Sequence, residues 1–522
     1  MRLVKTLSFT PMIRPPSCKL LLGLTFLSLV FGEAIFAQTA TLTTGNVSSA
    51  ATLTVQPVGA KSAAAKPADL KHYLITNYGA VADGTTLNTA AIQKAIDAAT
   101  AAGGGVLEVP KGTFLSGSLF FKKGVELYLD EGAVLLGSQN INDYVKQTTR
   151  IEGHFTEWRV ALINFTQMDQ VRVGGSGQLN GNGASYWAEF YSQRSANPAT
   201  TNLDVERPRL MFIDRCKDVR VENISFQDSG FWNLHLYHCS DVHIEGLRIN
   251  APRSPSTDGI DVDSCQDLTI RKCQISNNDD DIALKGSKGP HADDDKDSPP
   301  DENILIEDCE IGSGNGLLTC GSEATIVRNV IVRNCTINGN ATMLTLKLRP
   351  DTPQHYSNIT LDGIKLNGGG RLIAVAPWNQ YFDLEGQPPP TRSIDHITIR
   401  NVTGSFGSFG SLRGNLPDAR RGTLGDTISD FSIENVNVTL RNPAPLSRGE
   451  VANFTYKNVM VNGEAVEAPP ATVLPARGGR GGGFGPATGS AQPATTWNAA
   501  MTPPSATAPA PATSSDTTPP AK

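Results

Sequence analysis

The stretch Asp218-Val219-Arg220-Val221-Glu222-Asn223-Ile224 recurs as Asp241-Val242-His243-Ile244-Glu245-Gly246-Leu247, as Asp267-Leu268-Thr269-Ile270-Arg271-Lys272-Cys273 and as Asn303-Ile304-Leu305-Ile306-Glu307-Asp308-Cys309. Each copy alternates apolar and polar residues and then reaches a turn, at Asn223 and Gly246 in the first two, which is the period-two signature of a short strand. The copies open 23, 26 and 36 residues apart, and later ones end at Cys335, Ile364, Val402 and Val436. That spacing is too irregular for a strict repeat array but suits coils with loops of variable length. One coil cannot bury its apolar face alone, so the copies must stack. No helical segments separate them, which argues against a barrel of βαβ units. The expected fold is all-β, a single-stranded right-handed parallel β-helix. The segment Asn88 to Ala102, with Ala91, Ile92, Ala95, Ile96 and Ala99 on one face, predicts the only persuasive helix, a cap on the N-terminal end of the stack.

Within the repeats, Ser256-Thr257-Asp258-Gly259-Ile260-Asp261 and Asn278-Asp279-Asp280-Asp281-Ile282-Ala283-Leu284-Lys285 share a pattern in which Ile260 and Val262 correspond to Ile282 and Leu284. The offset is 22 residues, about one coil, so Asp258 stacks on Asp280 with Asp279 beside them. Parallel strands lie about 4.8 Å apart, and like charges that close cannot all ionise freely. One carboxyl is therefore expected to hold its proton. A protonated and an ionised carboxyl facing one another suit acid–base cleavage of a glycosidic bond. The same offset relates Asp263 to Lys285, read as a structural cross-coil ion pair. Lys347 and Arg349 alternate with Leu346 and Leu348, so they share the solvent face of a strand, as a carboxylate-binding pair or a generic basic rim.

The ends of the chain differ in composition from this middle. Residues 1–37 carry Arg2, Lys5, Arg14 and Lys19 ahead of the apolar run from Leu20 to Val30 and then Ala34-Ile35-Phe36-Ala37, which reads as a signal peptide. Export to the periplasm or the extracellular space is expected, with no membrane insertion of the mature form. Residues 38–70 and 466–522, rich in Ala, Thr, Ser, Pro and Gly, read as a flexible linker and a disordered tail, leaving 71–465 as one catalytic domain. A formal net charge of -6 gives no reason to expect nucleic acid as a partner. Cys216, Cys239 and Cys265 precede one repeated pattern, and Cys273, Cys309 and Cys335 each stand two residues before an Ile. Two columns of buried thiols follow, in preference to disulfides or a zinc site.

These motifs, together with Tyr78-Gly79-Ala80-Val81-Ala82-Asp83-Gly84, the Gly103–Gly105 run and Ser229-Gly230-Phe231-Trp232-Asn233-Leu234-His235, resemble glycoside hydrolase family 28, the polygalacturonases and their relatives, over roughly residues 70–460. The resemblance implies a pectin-lyase-like β-helix that cleaves galacturonic-acid-containing pectic polysaccharide, without a metal or other cofactor, and acts as a monomer. It implies that Asp279 is the general acid and that Asp258 and Asp280 activate water for an inverting attack, with acid and base about 6.5–9.5 Å apart. The family's Gly-His-Gly aligns with Gly314-Asn315-Gly316, so Asn315 stands where a histidine is usual. An amide cannot titrate near neutrality. The family's Arg-x-Lys finds its nearest match, reversed, in Lys347-Leu348-Arg349. Asn315, Lys347, Arg349 and His235 are thus expected to contact substrate, although a core or turn role for His235 and Trp232 is equally open. Trp378 is a stacking platform or a packed loop aromatic.

The two departures favour an exo-acting enzyme or one cutting rhamnogalacturonan. The insertion Gly286 to Glu302 resembles loops that block one end of the groove in exo-acting members, and its bland alternative is a solvated acidic loop. The rival functions are a β-helical pectate lyase and a non-catalytic glycan-binding protein.

Overall fold

The computed structural model describes residues 67–472, apart from 252, 253, 381 and 421. The leader, most of the linker and residues 473–522 of the tail lie outside the described residues. Among the described residues, thirty-five strands join one continuous ladder, and two more form a separate antiparallel hairpin. Along most of the ladder each strand pairs in parallel with the third strand before and after it, so three strands make one coil. This is the right-handed parallel β-helix expected from the repeats. Val219, Val242, Leu268, Ile304, Val330, Ile359 and Ile397 follow one another in register, all fully buried, and form one of the apolar columns through the core.

The residue that opens each repeat explains why the coil can turn there. Asp218, Asp241, Asp267, Asn303, Asn329 and Asn358 all adopt positive φ, between 50° and 59°. Asp and Asn tolerate that left-handed conformation better than other residues with a Cβ. Their side chains also link coil to coil: the Asn303 amide donates to Asp267 Oδ1 at 2.9 Å and Asn329 donates to Asn303 at 3.3 Å. The cysteines stack as two columns, Cys216–Cys239–Cys265 and Cys273–Cys309–Cys335, and every described cysteine is free and buried.

Helix α1 (Thr89–Ala101) buries Ile92, Ala95, Ile96 and Ala99 against the first coils, as its periodicity predicts. A second helix, α2 (Ala184–Ala196), is not foreseen. Its buried face is Tyr186, Trp187 and Phe190, aromatic and too short to show a helical period. The chain continues past Ala465, where the Val466 amide donates to Val459 O at 2.9 Å and the Thr472 amide to Arg448 O at 3.0 Å. Among the described residues no helix is long and apolar enough to cross a membrane.

One face of the stack carries the site. Its strands, in order, are β1 (Ile163–Thr166), β2 (Met211–Asp214), β3 (Leu234–Tyr237), β4 (Ile260–Asp263), β5 (Ile282–Lys285), β6 (Leu318–Cys320), β7 (Leu344–Leu348) and β8 (Arg371–Pro377). Each pairs in parallel with the next.

Candidate active site

The pairing of β4 with β5 sets Ile260 against Ile282 and Val262 against Leu284. The turns just ahead of these strands therefore hold Asp258 and Asp280 side by side, one coil apart. One carboxylate oxygen from each of Asp258, Asp279 and Asp280 lies within 4.8 Å of the others. Asp258 and Asp280 are buried, and Asp279 is partly buried. The three are thus brought together as the 22-residue offset requires. That 4.8 Å is the distance between nearest oxygens, whereas the roughly 6.5–9.5 Å that the resemblance implies for an inverting pair is between whole carboxyl groups.

What distinguishes the three carboxyls is their company. Lys285 Nζ lies 2.9 Å from Asp258 Oδ2, and Lys347 Nζ lies 2.6 Å from Asp280 Oδ2. Thr319 Oγ1 adds a hydrogen bond to Asp280 Oδ1 at 3.0 Å. Asp279 Oδ1 accepts from the Asn315 amide at 3.0 Å and from the Asp280 backbone N–H at 3.0 Å. Burial, then the charges of Asp258 and Asp280, push the Asp279 carboxyl up to about 8. Burial also raises Asp258, opposed by Lys285. Burial disfavours the Lys285 ammonium, yet Asp258, Asp261 and Glu323 carry it well above the usual lysine range.

The two glycines of Gly314-Asn315-Gly316 are demanded by close approach. A methyl group on Gly314 would meet Asp281 Oδ2 at 2.1 Å, and one on Gly316 would meet Thr319 Oγ1 at 2.3 Å. The turn can therefore press its backbone onto the carboxyl patch and deliver Asn315 to Asp279. Behind it, Asp281 is fully buried. Burial and the neighbouring Asp280 raise its carboxyl well above the usual range.

Lys285 and Asp263 are register partners, but they do not form the ion pair expected of them. Lys285 turns instead to Asp258, with Asp261 at 3.4 Å and Glu323 at 3.9 Å, over the Trp232 ring at 4.6 Å. Asp263 is held by Arg150, at 3.0 Å. A fixed offset identifies which residues are neighbours and not which way a long side chain leans.

His235 does not line a sugar subsite. It is fully buried, packed between Phe212 and Trp232 with ring centroids 4.8 and 4.9 Å away. Arg209 donates to its Nδ1 at 2.6 Å, so the ring N–H is on Nε2 and points to Asp263 Oδ2 at 3.3 Å. Burial lowers this imidazole to about 3, so it is neutral. Arg349 is also removed from the surface: it is 3% exposed and grips Asp351 with two hydrogen bonds of 2.9 and 2.7 Å. Lys347 is 8% exposed and stands 4.8 Å over the Trp378 ring. The solvent face expected for Lys347 and Arg349 is therefore a covered one, in which both cations already face carboxylates.

Chain segments outside the ladder wall the patch. The hairpin of Lys146–Ile151 and His154–Arg159 packs on the insertion that follows β5. Arg150 reaches from it to Asp263 and to Ser287 Oγ at 3.1 Å, and Glu152 pairs with Lys288 at 3.7 Å. The insertion is tied in turn by Gly289 N–H to Thr352 Oγ1 at 2.9 Å and by Tyr237 O–H to Asp297 O at 2.6 Å. It is a built wall, and the bland reading of a merely solvated loop holds for its exposed His291, Asp293, Asp294, Lys296 and Asp297. Against the hairpin, whose Trp158 Nε1 donates to Arg207 O at 3.1 Å, Arg207 lies between Phe190 of α2 and Phe231, with its guanidinium 4.4 and 4.6 Å from the ring centroids. It donates to Pro255 O at 2.7 Å and so anchors the turn that carries Asp258.

The sequence model of glycosyl hydrolases family 28 matches residues 105–458. The chain belongs to glycosyl hydrolases family 28. Among its family 28 relatives, a probable polygalacturonase of Vitis vinifera is 33% identical over 225 residues, covering 40% of this chain and 43% of that protein. A polygalacturonase of Chamaecyparis obtusa is 30% identical over 396 residues, covering 74% of this chain and 69% of that protein. The match therefore spans less than half of the first relative's length. The crystal structure of a hyperthermoactive exopolygalacturonase from Thermotoga maritima superposes with a TM-score of 0.61 over 74% of this chain and 92% of that one, at 22% identity, a likeness of fold.

Proposed function

We propose that the chain is an exported glycoside hydrolase that cuts galacturonic-acid-containing pectic polysaccharide from a chain end, by inversion. The observation that carries the acid–base assignment is the unequal pairing of the three carboxyls. Asp258 and Asp280 each have a lysine within 2.9 Å, whereas Asp279 is met by amides. A carboxyl without a cation between two charged neighbours keeps its proton. Asp279 is then the acid that protonates the leaving glycosidic oxygen, and it is the least buried of the three. Asp258 and Asp280, each paired with a lysine, orient and deprotonate the attacking water.

Attack from a chain end is supported by the double wall of hairpin and insertion beside β3 to β6, and relatives named exopolygalacturonase, two of them from Zea mays, are in keeping with it. Replacement of Asp279 by Asn tests the assignment. It should lower kcat on polygalacturonate by about 10² to 10⁴-fold, the size of a general-acid contribution, while binding and thermal unfolding stay near wild type. Retained turnover would contradict it. Proton NMR of the first product reads inversion directly, as the anomer opposite to the linkage cleaved; retention of configuration would place a covalent intermediate on one of the carboxyls.

A further inference from the structure

Beside Asp258 lies a fourth carboxyl that the roles above leave unused. Asp261 is the second residue of β4 and is fully buried, between His235 of β3 and Ala283 of β5 in the ladder. Neither of its oxygens receives an N–H or hydroxyl hydrogen bond. The cation nearest to it is Lys285, 3.4 Å from Oδ1, and that ammonium sits closer to Asp258, at 2.9 Å. A buried carboxylate without donors is costly. A buried carboxylic acid with an acceptor beside it is not. The Asp258 carboxylate is the acceptor at hand, because one ammonium, Lys285 Nζ, touches both side chains. Two buried carboxyls that share one ammonium can hydrogen-bond each other once one of them carries a proton. Lys285 decides which one, since its shorter contact favours charge on Asp258.

We propose that Asp261 is a positioning residue, a neutral acid whose O–H donates to the Asp258 carboxylate, fixes its orientation and eases its ionisation as the base. The inference rests on the reading of Asp258 as a base of the hydrolysis. Other charged or titratable groups also face Asp261. Arg209 and His235 lie on the preceding coils, Asp263 two residues along its own strand, Asp280 and Lys285 on the next coil, and Glu323 behind Lys285. Burial and Asp258 both push the Asp261 carboxyl well above the usual carboxylate range, which agrees with the geometry.

Two measurements on the full chain test this. The infrared difference spectrum of wild type minus Asp261→Asn, recorded near neutral pH without substrate, should show the C=O stretch of one protonated carboxylic acid. Absence of that band would overturn the proposal, and because no turnover is needed, the result stands even if the chain does not hydrolyse polygalacturonate. The second is the acidic limb of the kcat/KM profile. Asp261→Asn still donates through its amide and should keep the limb in place, whereas Asp261→Leu, which cannot donate, should move it up by about one pH unit. A downward move in Asp261→Asn would show that Asp261 carries a charge. A limb unmoved in Asp261→Leu, with kcat merely reduced, would leave it only a structural part. Either result overturns the proposal.

Discussion

At the scale of single residues, the account rests on which carboxyl has a cation. Asp279, raised to about 8, must be protonated to act, so the kcat/KM profile should lose activity as pH rises through about 8. The sign for stability is the same: above the pKa of an unfolded aspartate, about 3.9, the native state holds a proton that the unfolded chain has released. This group therefore makes the fold less stable as pH rises towards 8 and adds nothing further beyond it. Replacing Asn315 by Ala removes a donor that favours the charged form of Asp279, and the basic limb should move to higher pH. Lys347→Met leaves Asp280 buried and unpaired and should cost about 3 kcal/mol in urea unfolding. Adding Asp280→Asn to that variant should recover most of the loss; a double variant no more stable than Lys347→Met would contradict the pairing. The grouping of Asp258, Asp279 and Asp280 was legible in the sequence because it depends on register alone. The partners of Lys285 and His235 were not legible, because each is decided by a side chain from another coil, Asp258 or Arg209; Arg349 turns instead to Asp351, two residues along, which an alternating strand pattern does not foretell.

At the scale of elements, the repeating strands announce themselves by period two, and their irregular spacing marks where insertions enter. The insertions themselves were harder to read. The hairpin 146–159 has no partner in the repeat pattern, and its attachment runs through Arg150 to Asp263, 113 residues away. Helix α2 hides its helical period behind an aromatic face and is held by Trp187 Nε1, which donates to Ser229 O at 2.9 Å. If the wall that hairpin and insertion make confines the substrate to its end, replacing residues 147–158 by a short glycine turn should change the products from one terminal unit at a time to a mixture of oligosaccharides. Chromatography of early products would show this; an unchanged product pattern would mean that the wall does not set the mode of attack.

At the scale of the whole molecule, the parallel β-helix converts a sequence offset into a distance between carboxyls. The ladder between β4 and β5 places two turns about one strand spacing apart, and the chemistry follows from what those turns carry. The stack was legible from one heptapeptide and its copies, and the corner Asp and Asn residues show why those copies begin as they do. The measurement that tests the central claim most directly is product analysis of the purified chain on polygalacturonate, following reducing ends and the ultraviolet absorbance of unsaturated uronates together. The account predicts reducing ends released as small terminal units, without new absorbance and without a need for calcium. Absorbance that grows with calcium, or no product at all, would contradict it.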